Sequence, residues 1–201
     1  KATDNVVSKV ELVSGGIPLY LHYISELLLK TKKKDYIKSL QELPLLIDGK
    51  INTYHEYLCS KILEDEYAKW VLAVFAYRQE NTSPDTIKDI LSFADIQIDK
   101  IKITETIGKI SHLLKINESR SYTIFHNSFR EFILSKTINF KNHFNRALAL
   151  YYEQNPSTDE AYRNYFKHLQ YIGDYQKIIS ITTLDWIKNA WSNYRTLKEI
   201  G

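Results

Sequence analysis

Apolar positions recur at helical spacing along nearly the whole chain. Val6, Val7 and Val10 form a short apolar face. Gly15 and Gly16 end it, because glycine takes the left-handed cap conformation without steric cost. Pro18 suits the first turn of the next helix, where its missing N–H would have no intrahelical partner. Leu19, Tyr23, Ile24, Leu27 and Leu28 continue that helix, and the lysine-rich run 30–34 closes it with charge favourable at a helix C-terminus. A short helix over Asp35–Glu42 stops before Pro44, and Leu45–Lys50 reads as a connection. Helices come next over Asn52–Leu63 and Glu66–Gln79. Thr82-Ser83-Pro84 is a start signal, with Ser83 as cap and Pro84 in the first turn of a helix that turns Ile87, Ile90 and Leu91 to the core. A further helix runs over Ile103–Leu114, through Ile107, Ile110 and Leu113.

The period then changes. Lys115-Ile116-Asn117 is extended, 118–121 is turn-like, and Tyr122-Thr123-Ile124-Phe125 alternates, which together predict one β-hairpin. Asn127 and Ser128 are the expected caps of a helix over Phe129–Lys136. Three helices and then a hairpin describe a winged helix. Beyond it the pattern is helical again. Phe140, Phe144, Ala147, Leu148 and Tyr151 share one face, 155–158 breaks the chain, and Ala161, Tyr162, Tyr165, Phe166 and Leu169 share the next, ending at Gly173. Helices over Tyr175–Ile181 and Leu184–Lys198 complete the pattern. Large aromatics at helical spacing between short turns suggest a helical-repeat array. The expected fold is mainly α, with a short helical domain (1–50), a winged-helix domain with one small β-hairpin (51–138), and antiparallel helical hairpins of TPR-like or α-solenoid type (139–201).

Composition narrows the chemistry. Of 201 residues, 44% are hydrophobic and 25% charged, the balance of an ordinary globular chain with room for a core. A net charge of +3 does not imply a nucleic-acid partner. No apolar run reaches membrane-spanning length, so no membrane partner is expected. One cysteine, Cys59, excludes an internal disulfide and fits a reducing, cytoplasmic location. The chain lacks methionine, which we read as the mark of an excerpt or of methionine replacement or processing.

Candidate chemistry is sparse. His22, His55, His112, His126, His143 and His168 lack metal-ligand spacing, so no metal site is expected. Cys59 and His55 stand one helical turn apart, but Cys59 lies among Leu58, Ile62 and Leu63 and reads as buried and inert, so no catalytic residue is assigned. No phosphate-binding Gly-x-x-x-x-Gly-Lys-Ser/Thr is present: Gly49-Lys50 and Gly108-Lys109 each precede isoleucine. No acidic pair succeeds an apolar strand to hold magnesium. His126, just before a helix N-terminus, has two readings. It can donate to a phosphate oxygen where the helix end favours anions, or it can cap its own helix or fill a polar pocket. Pro18 can equally serve only to start its helix.

The Gly-Gly-x-Pro at 15–18, Leu43-Pro44, and Phe125-His126-Asn127-Ser128-Phe129-Arg130 closing a winged helix together resemble the STAND class of P-loop NTPases. These are the NACHT and NB-ARC relatives within the AAA+ superfamily. Tyr165-Phe166-Lys167-His168-Leu169 and Leu184-Asp185-Trp186-Ile187 resemble the region C-terminal to the winged helix in bacterial members. The resemblance implies that residues 1–50 are the helical lid. It implies that Pro18 packs on the adenine of bound ATP or ADP, with Gly16 letting the backbone approach. His126 would then contact the β-phosphate of ADP and hold the resting state. Plant and animal members often carry aspartate after this histidine, where this chain has Asn127.

The resemblance further implies a regulatory fragment that is not an enzyme by itself. In the longer protein an upstream P-loop ATPase domain would hold the nucleotide with magnesium. A protein trigger, or self-association through the helical repeats, would accompany ATP-dependent opening, as in bacterial antiviral defence. Two other readings stay open. One is a DNA-binding winged helix using Lys100, Lys102, Lys109, His112 and Lys115 with Arg120 in the wing. The other is a helical scaffold for protein interaction.

Overall fold

The structure, a computed structural model, describes residues 2–46, 51–62, 65–156, 159–189 and 191–192. It is mainly α, with one two-stranded antiparallel hairpin. Its contacts group the chain into two compact units, 1–83 with 101–136 and 84–100 with 137–201. The segment 51–138, expected from sequence as a winged helix, contributes to both.

The first unit opens with α1 (Ala2–Ser14), α2 (Pro18–Lys30) and α3 (Tyr36–Gln41), with α1 packed on the other two. Gly15 and Gly16 both adopt left-handed φ, +55° and +74°, and separate α1 from α2. Of the apolar face expected on α1, Val7 is exposed; Val13 is instead buried, as is Ser14 beside it. Residues 45–46 are irregular, and the rest of the expected connection, 47–50, lies outside the described residues. Next come α4 (Asn52–Ile62) and α5 (Glu66–Arg78).

α5 is buried on nearly every side from Val71 to Arg78, so tertiary packing rather than an amphipathic stripe holds it. Asp65 caps it by accepting from the Tyr67 N–H, and Gln79 ends it at a left-handed φ of +64°. The Arg78 guanidinium is buried. It donates to the Asn81 carbonyl and to the Thr82 hydroxyl, at 2.6 and 2.7 Å. This fixes Thr82, whose backbone exchanges hydrogen bonds of 2.8 and 3.0 Å with Tyr122.

The hairpin pairs β1 (Leu114–Ile116) with β2 (Tyr122–Ile124), Ile116 opposite Tyr122. The helical spacing predicts that α7 (Lys100–Ile110) runs on to Leu114. It stops at Ile110 and passes through a tight turn at Ser111–Leu113, because Leu113 and Leu114 are taken by the hairpin: the Phe125 N–H donates to the Leu113 carbonyl and Leu114 pairs with Ile124. At the tip the Asn117 side-chain carbonyl accepts from the Ser121 N–H and from the Ser119 and Ser121 hydroxyls. α8 (Asn127–Lys136) comes next and packs on α4 and α5, and the Arg130 Nε–H donates to the Ala76 carbonyl. In chain order, α5 is followed by the bridge at Thr82, α6 (Pro84–Phe93), α7 and the hairpin.

In the second unit α6 buries Ile87, Ile90 and Leu91, as its spacing predicts, and packs on α9 (Lys141–Gln154). α9 pairs closely with α10 (Asp159–Ile172). The inward face of α9 is Phe144, Ala147, Leu148 and Tyr152. Tyr151, expected on that face, is only half-buried; Tyr152 completes the stripe and donates its hydroxyl to Glu160 at 2.8 Å. Fully burying a side chain such as Phe144 contributes about 1.5–3 kcal/mol. On α10 the buried residues include Ala161, Tyr165, His168 and Leu169, while Tyr162 and Phe166 lie half-buried against Trp186. Gly173 (φ +74°) ends α10, and Asp174 caps α11 (Tyr175–Ile181). Residues 184–189 and 191–192 are helical; the remainder of the helix expected to 198 lies outside the described residues.

Candidate functional site

Gly16, Pro18 and His126 all belong to the first unit, and all three are solvent-exposed. Gly16 is held by its N–H donating to the Ser14 hydroxyl at 3.2 Å. A Cβ built there would meet nothing within 4 Å, so the backbone conformation at φ +74° is what calls for glycine. Ile17 is the N-cap of α2 and Pro18 occupies its first turn, as the sequence predicts. One turn on, Tyr20 and Tyr23 point inward. Their rings lie 4.4 and 5.3 Å from that of Tyr54 on α4, and Tyr20 donates its hydroxyl to the Pro44 carbonyl at 2.8 Å. Leu43-Pro44 is therefore anchored to the base of α2.

Between Tyr20 and Tyr23 the helix turns His22 outward to Phe125, at the end of the hairpin. The two rings stack 4.0 Å apart at 17°. His22 is four residues from Pro18, hence one turn along the same face, and Phe125 is the residue before His126. The stack thus ties α2, which Pro18 opens, to the residue preceding His126. Lys30 at the far end of α2 makes a second tie, donating to the Ser111 hydroxyl at 2.6 Å.

The local chemistry of His126 is specific. Its carbonyl accepts from the N–H groups of Phe129 and Arg130, so it is the N-cap of α8. Its Nδ1 accepts from the Ser128 N–H at 3.1 Å and lies 2.9 Å from the Ser128 hydroxyl. The expected cap pair, Asn127 and Ser128, does not supply this bond. The imidazole reaches Ser128 first, and the Asn127 side-chain carbonyl accepts from Arg130 instead. Because Nδ1 accepts from a backbone N–H, the neutral ring carries its proton on Nε2. The result is an exposed N–H donor at a helix N-terminus, where the backbone dipoles favour an anion. Capping and donation use different nitrogens, so both readings of His126 are compatible.

Behind this face lies a buried aromatic cluster. His55 on α4 is fully buried, with ring centroids 5.2 Å from Phe129, 5.4 Å from Phe132 and 6.2 Å from Tyr23. Neither of its nitrogens nor the Tyr23 hydroxyl has a hydrogen-bond partner, which costs about 1–3 kcal/mol per buried group. Burial, and then the neighbouring His126, lower the His55 pKa to about 4. Cys59, one turn along α4, is buried as expected, and burial pushes its thiol up to about 12. A thiol held protonated beside an imidazole held neutral is not an activated nucleophile.

The basic residues of α7 and its surroundings are largely engaged. Lys102 and Lys109 pair with Asp65 at 3.4 and 3.0 Å, holding its carboxyl below the usual range, and Lys100 pairs with Asp85 at 2.7 Å. Burial, with Lys30 nearby, lowers the His112 pKa to about 4, so this ring adds no charge at neutral pH. Among the described residues no group of three or more His, Cys, Asp or Glu could hold a metal ion, and no helix is long and apolar enough to cross a membrane.

Sequence reasoning includes Phe125 in the motif at 125–130 but assigns no role to it or to His22. The available signals are local: His22 sits one turn after Pro18, and Phe125 directly precedes His126. No family model, curated protein or solved structure matches this chain.

Proposed function

We propose that this chain is the regulatory part of a STAND-type nucleotide switch, comprising a helical lid, a winged helix and the beginning of a helical sensor array. The observation that supports the reading is the His22–Phe125 stack, which ties α2, the helix that Pro18 opens, to the residue preceding His126. Pro18 offers an exposed apolar ring suited to a base, and His126 an exposed Nε2–H donor suited to a phosphate oxygen. Bound ADP would be held on this side by those residues. An upstream P-loop ATPase domain of the same chain would supply the remaining phosphate contacts and magnesium, and the chemistry of hydrolysis would be its own. By itself the chain carries no hydrolytic machinery.

In this reading nucleotide contacts favour the closed arrangement. A protein trigger acting through the C-terminal helices favours an open, ATP-bound, oligomerising one, and each ligand shifts the balance by its differential affinity for the two states. The setting is cytoplasmic, and bacterial antiviral defence is the process that the resemblance favours. The ion pairing of Lys102 and Lys109 with Asp65 weighs against a DNA-binding role for α7.

The test is ADP retained through purification of the longer protein. Losing one charge-assisted hydrogen bond costs about 1.5–3 kcal/mol, so His126→Ala weakens ADP by roughly ten- to a hundredfold and activates the switch without its trigger. Unchanged ADP retention removes His126 from the site.

A further inference from the structure

We infer that His55 is an acid-sensitive latch: its neutral, buried ring joins α4 to the first turn of α8, and protonation releases that joint. The inference concerns packing within the first unit and does not depend on the nucleotide reading.

The geometry carries it. His55 is fully enclosed, and the described rings around it come from three helices: Tyr23 from α2, Tyr54 from α4 itself, and Phe129 and Phe132 from α8. An imidazolium has two N–H donors and needs two acceptors or water. Here both ring nitrogens are without partners, as is the buried hydroxyl of Tyr23, whose ring stands edge-on to His55 at 6.2 Å.

The charged groups around the joint offer no relief. His126, preceding α8, is the titratable neighbour that acts on His55, and its effect opposes a charge on the His55 ring. Glu56 and Lys136 pair across α4 and α8 at 3.8 Å, and their charges act on Cys59 one turn away. Arg130 and Glu131 pair with each other at 2.6 Å, and Arg130 is further committed to the Ala76 carbonyl. From α2, Tyr20 gives its hydroxyl to Pro44 and His22 stacks on Phe125. A proton on His55 can therefore be solvated only if the cage opens. The piece that must move is Phe129, three residues after the cap His126, so release loosens the first turn of α8. The depressed pKa of His55 agrees with this cost.

The latch is tested by amide hydrogen exchange on the whole chain, corrected for intrinsic rates, at about pH 7 and about pH 4, in wild type and His55→Phe. A group titrating near 6.5 when exposed and near 4 when caged raises the opening equilibrium about a hundredfold across that interval. Protection in α4 and α8 is expected to fall by that order, while α9 and α10 keep theirs. His55→Phe, which fills the cage with an uncharged ring, should hold α4 and α8 protected at both pH values. Equal loss in α9 and α10, or loss in His55→Phe matching wild type, overturns the inference. Should the variant not fold, the His55 ring proton signal in wild type decides. A ring neutral down to about pH 4 supports the latch, and a midpoint near 6.5 with α8 still protected sinks it.

Discussion

The side chain of His126 has a structural role that can be separated from any ligand. It caps α8 through Nδ1, accepting from the Ser128 N–H at 3.1 Å with the Ser128 hydroxyl at 2.9 Å. The ring itself is exposed, so truncation leaves no cavity. Replacing a capping side chain by alanine costs about 0.5–2 kcal/mol, typically about 1. For a chain of this size that lowers Tm by roughly 2–4 °C per kcal/mol. Asparagine is among the best N-cap residues, so His126→Asn should recover nearly all of that loss. It lacks the outward Nε2–H, however. Thermal and urea melts monitored by far-UV circular dichroism at neutral pH measure both variants. The expected order is wild type close to His126→Asn, with His126→Ala lower by about 1 kcal/mol. An alanine variant as stable as wild type, or an asparagine variant as unstable as alanine, refutes the capping geometry. With the order established, His126→Asn becomes the clean probe of nucleotide contact, since any loss of ADP in a fully stable protein belongs to the missing donor.

The packing makes three further outcomes testable. His55 and His112 have folded-state pKa values near 4, below their ordinary value, so the unfolded chain takes up protons first as pH falls; stability is complete above about pH 6.5 and declines towards about pH 4, by up to about 3 kcal/mol for His55 and less for half-buried His112, which urea midpoints across that range will show. His22→Ala removes the stack on Phe125 and should cost about 0.5–1.5 kcal/mol, whereas His22→Phe keeps the stack and most of the stability in the same melts. Cys59 should resist a thiol-labelling reagent in the native state and react at the unfolding rate in denaturant, because its thiol is buried and held protonated; rapid native labelling would contradict that placement.

Much of this architecture is legible in the chain. Glycine at 15, 16 and 173 marks three left-handed positions, and Pro18 and Pro84 mark helix starts, because these residues act through their own backbones; the left-handed Gln79 carries no such mark. The hairpin is visible in the alternation after Leu114, but the end of α7 is not. Leu113 and Leu114 fit the helical stripe equally well, and only pairing with Ile124 and Phe125, distant in sequence, withdraws them from it. The exchange of Tyr151 for Tyr152 on α9 arises in the same way, since adjacent tyrosines are equivalent until a partner such as Glu160 selects one.

The candidate site is legible in its named residues and illegible in their surroundings. Gly16, Pro18 and His126 stand out by motif, but the neighbouring stack joins His22 to Phe125 across some hundred residues of chain, a contact no local pattern encodes. Short polar side chains are the usual caps, so the sequence points to Asn127 and Ser128 at the start of α8. An imidazole two residues before a free N–H does the same work, and propensity does not reveal which neighbour arrives first.

The most direct measurement of the proposed nucleotide-facing role is a resonance map of the isotopically labelled chain titrated with ADP to millimolar levels, alongside adenosine and inorganic pyrophosphate. Weak binding is expected, with shifts confined to the turn around Gly16 and Pro18 for ADP and adenosine, and to His126 and the first turn of α8 for ADP and pyrophosphate. An unperturbed His126 ring at saturating ADP, or shifts centred on α9 to α11, would contradict the account.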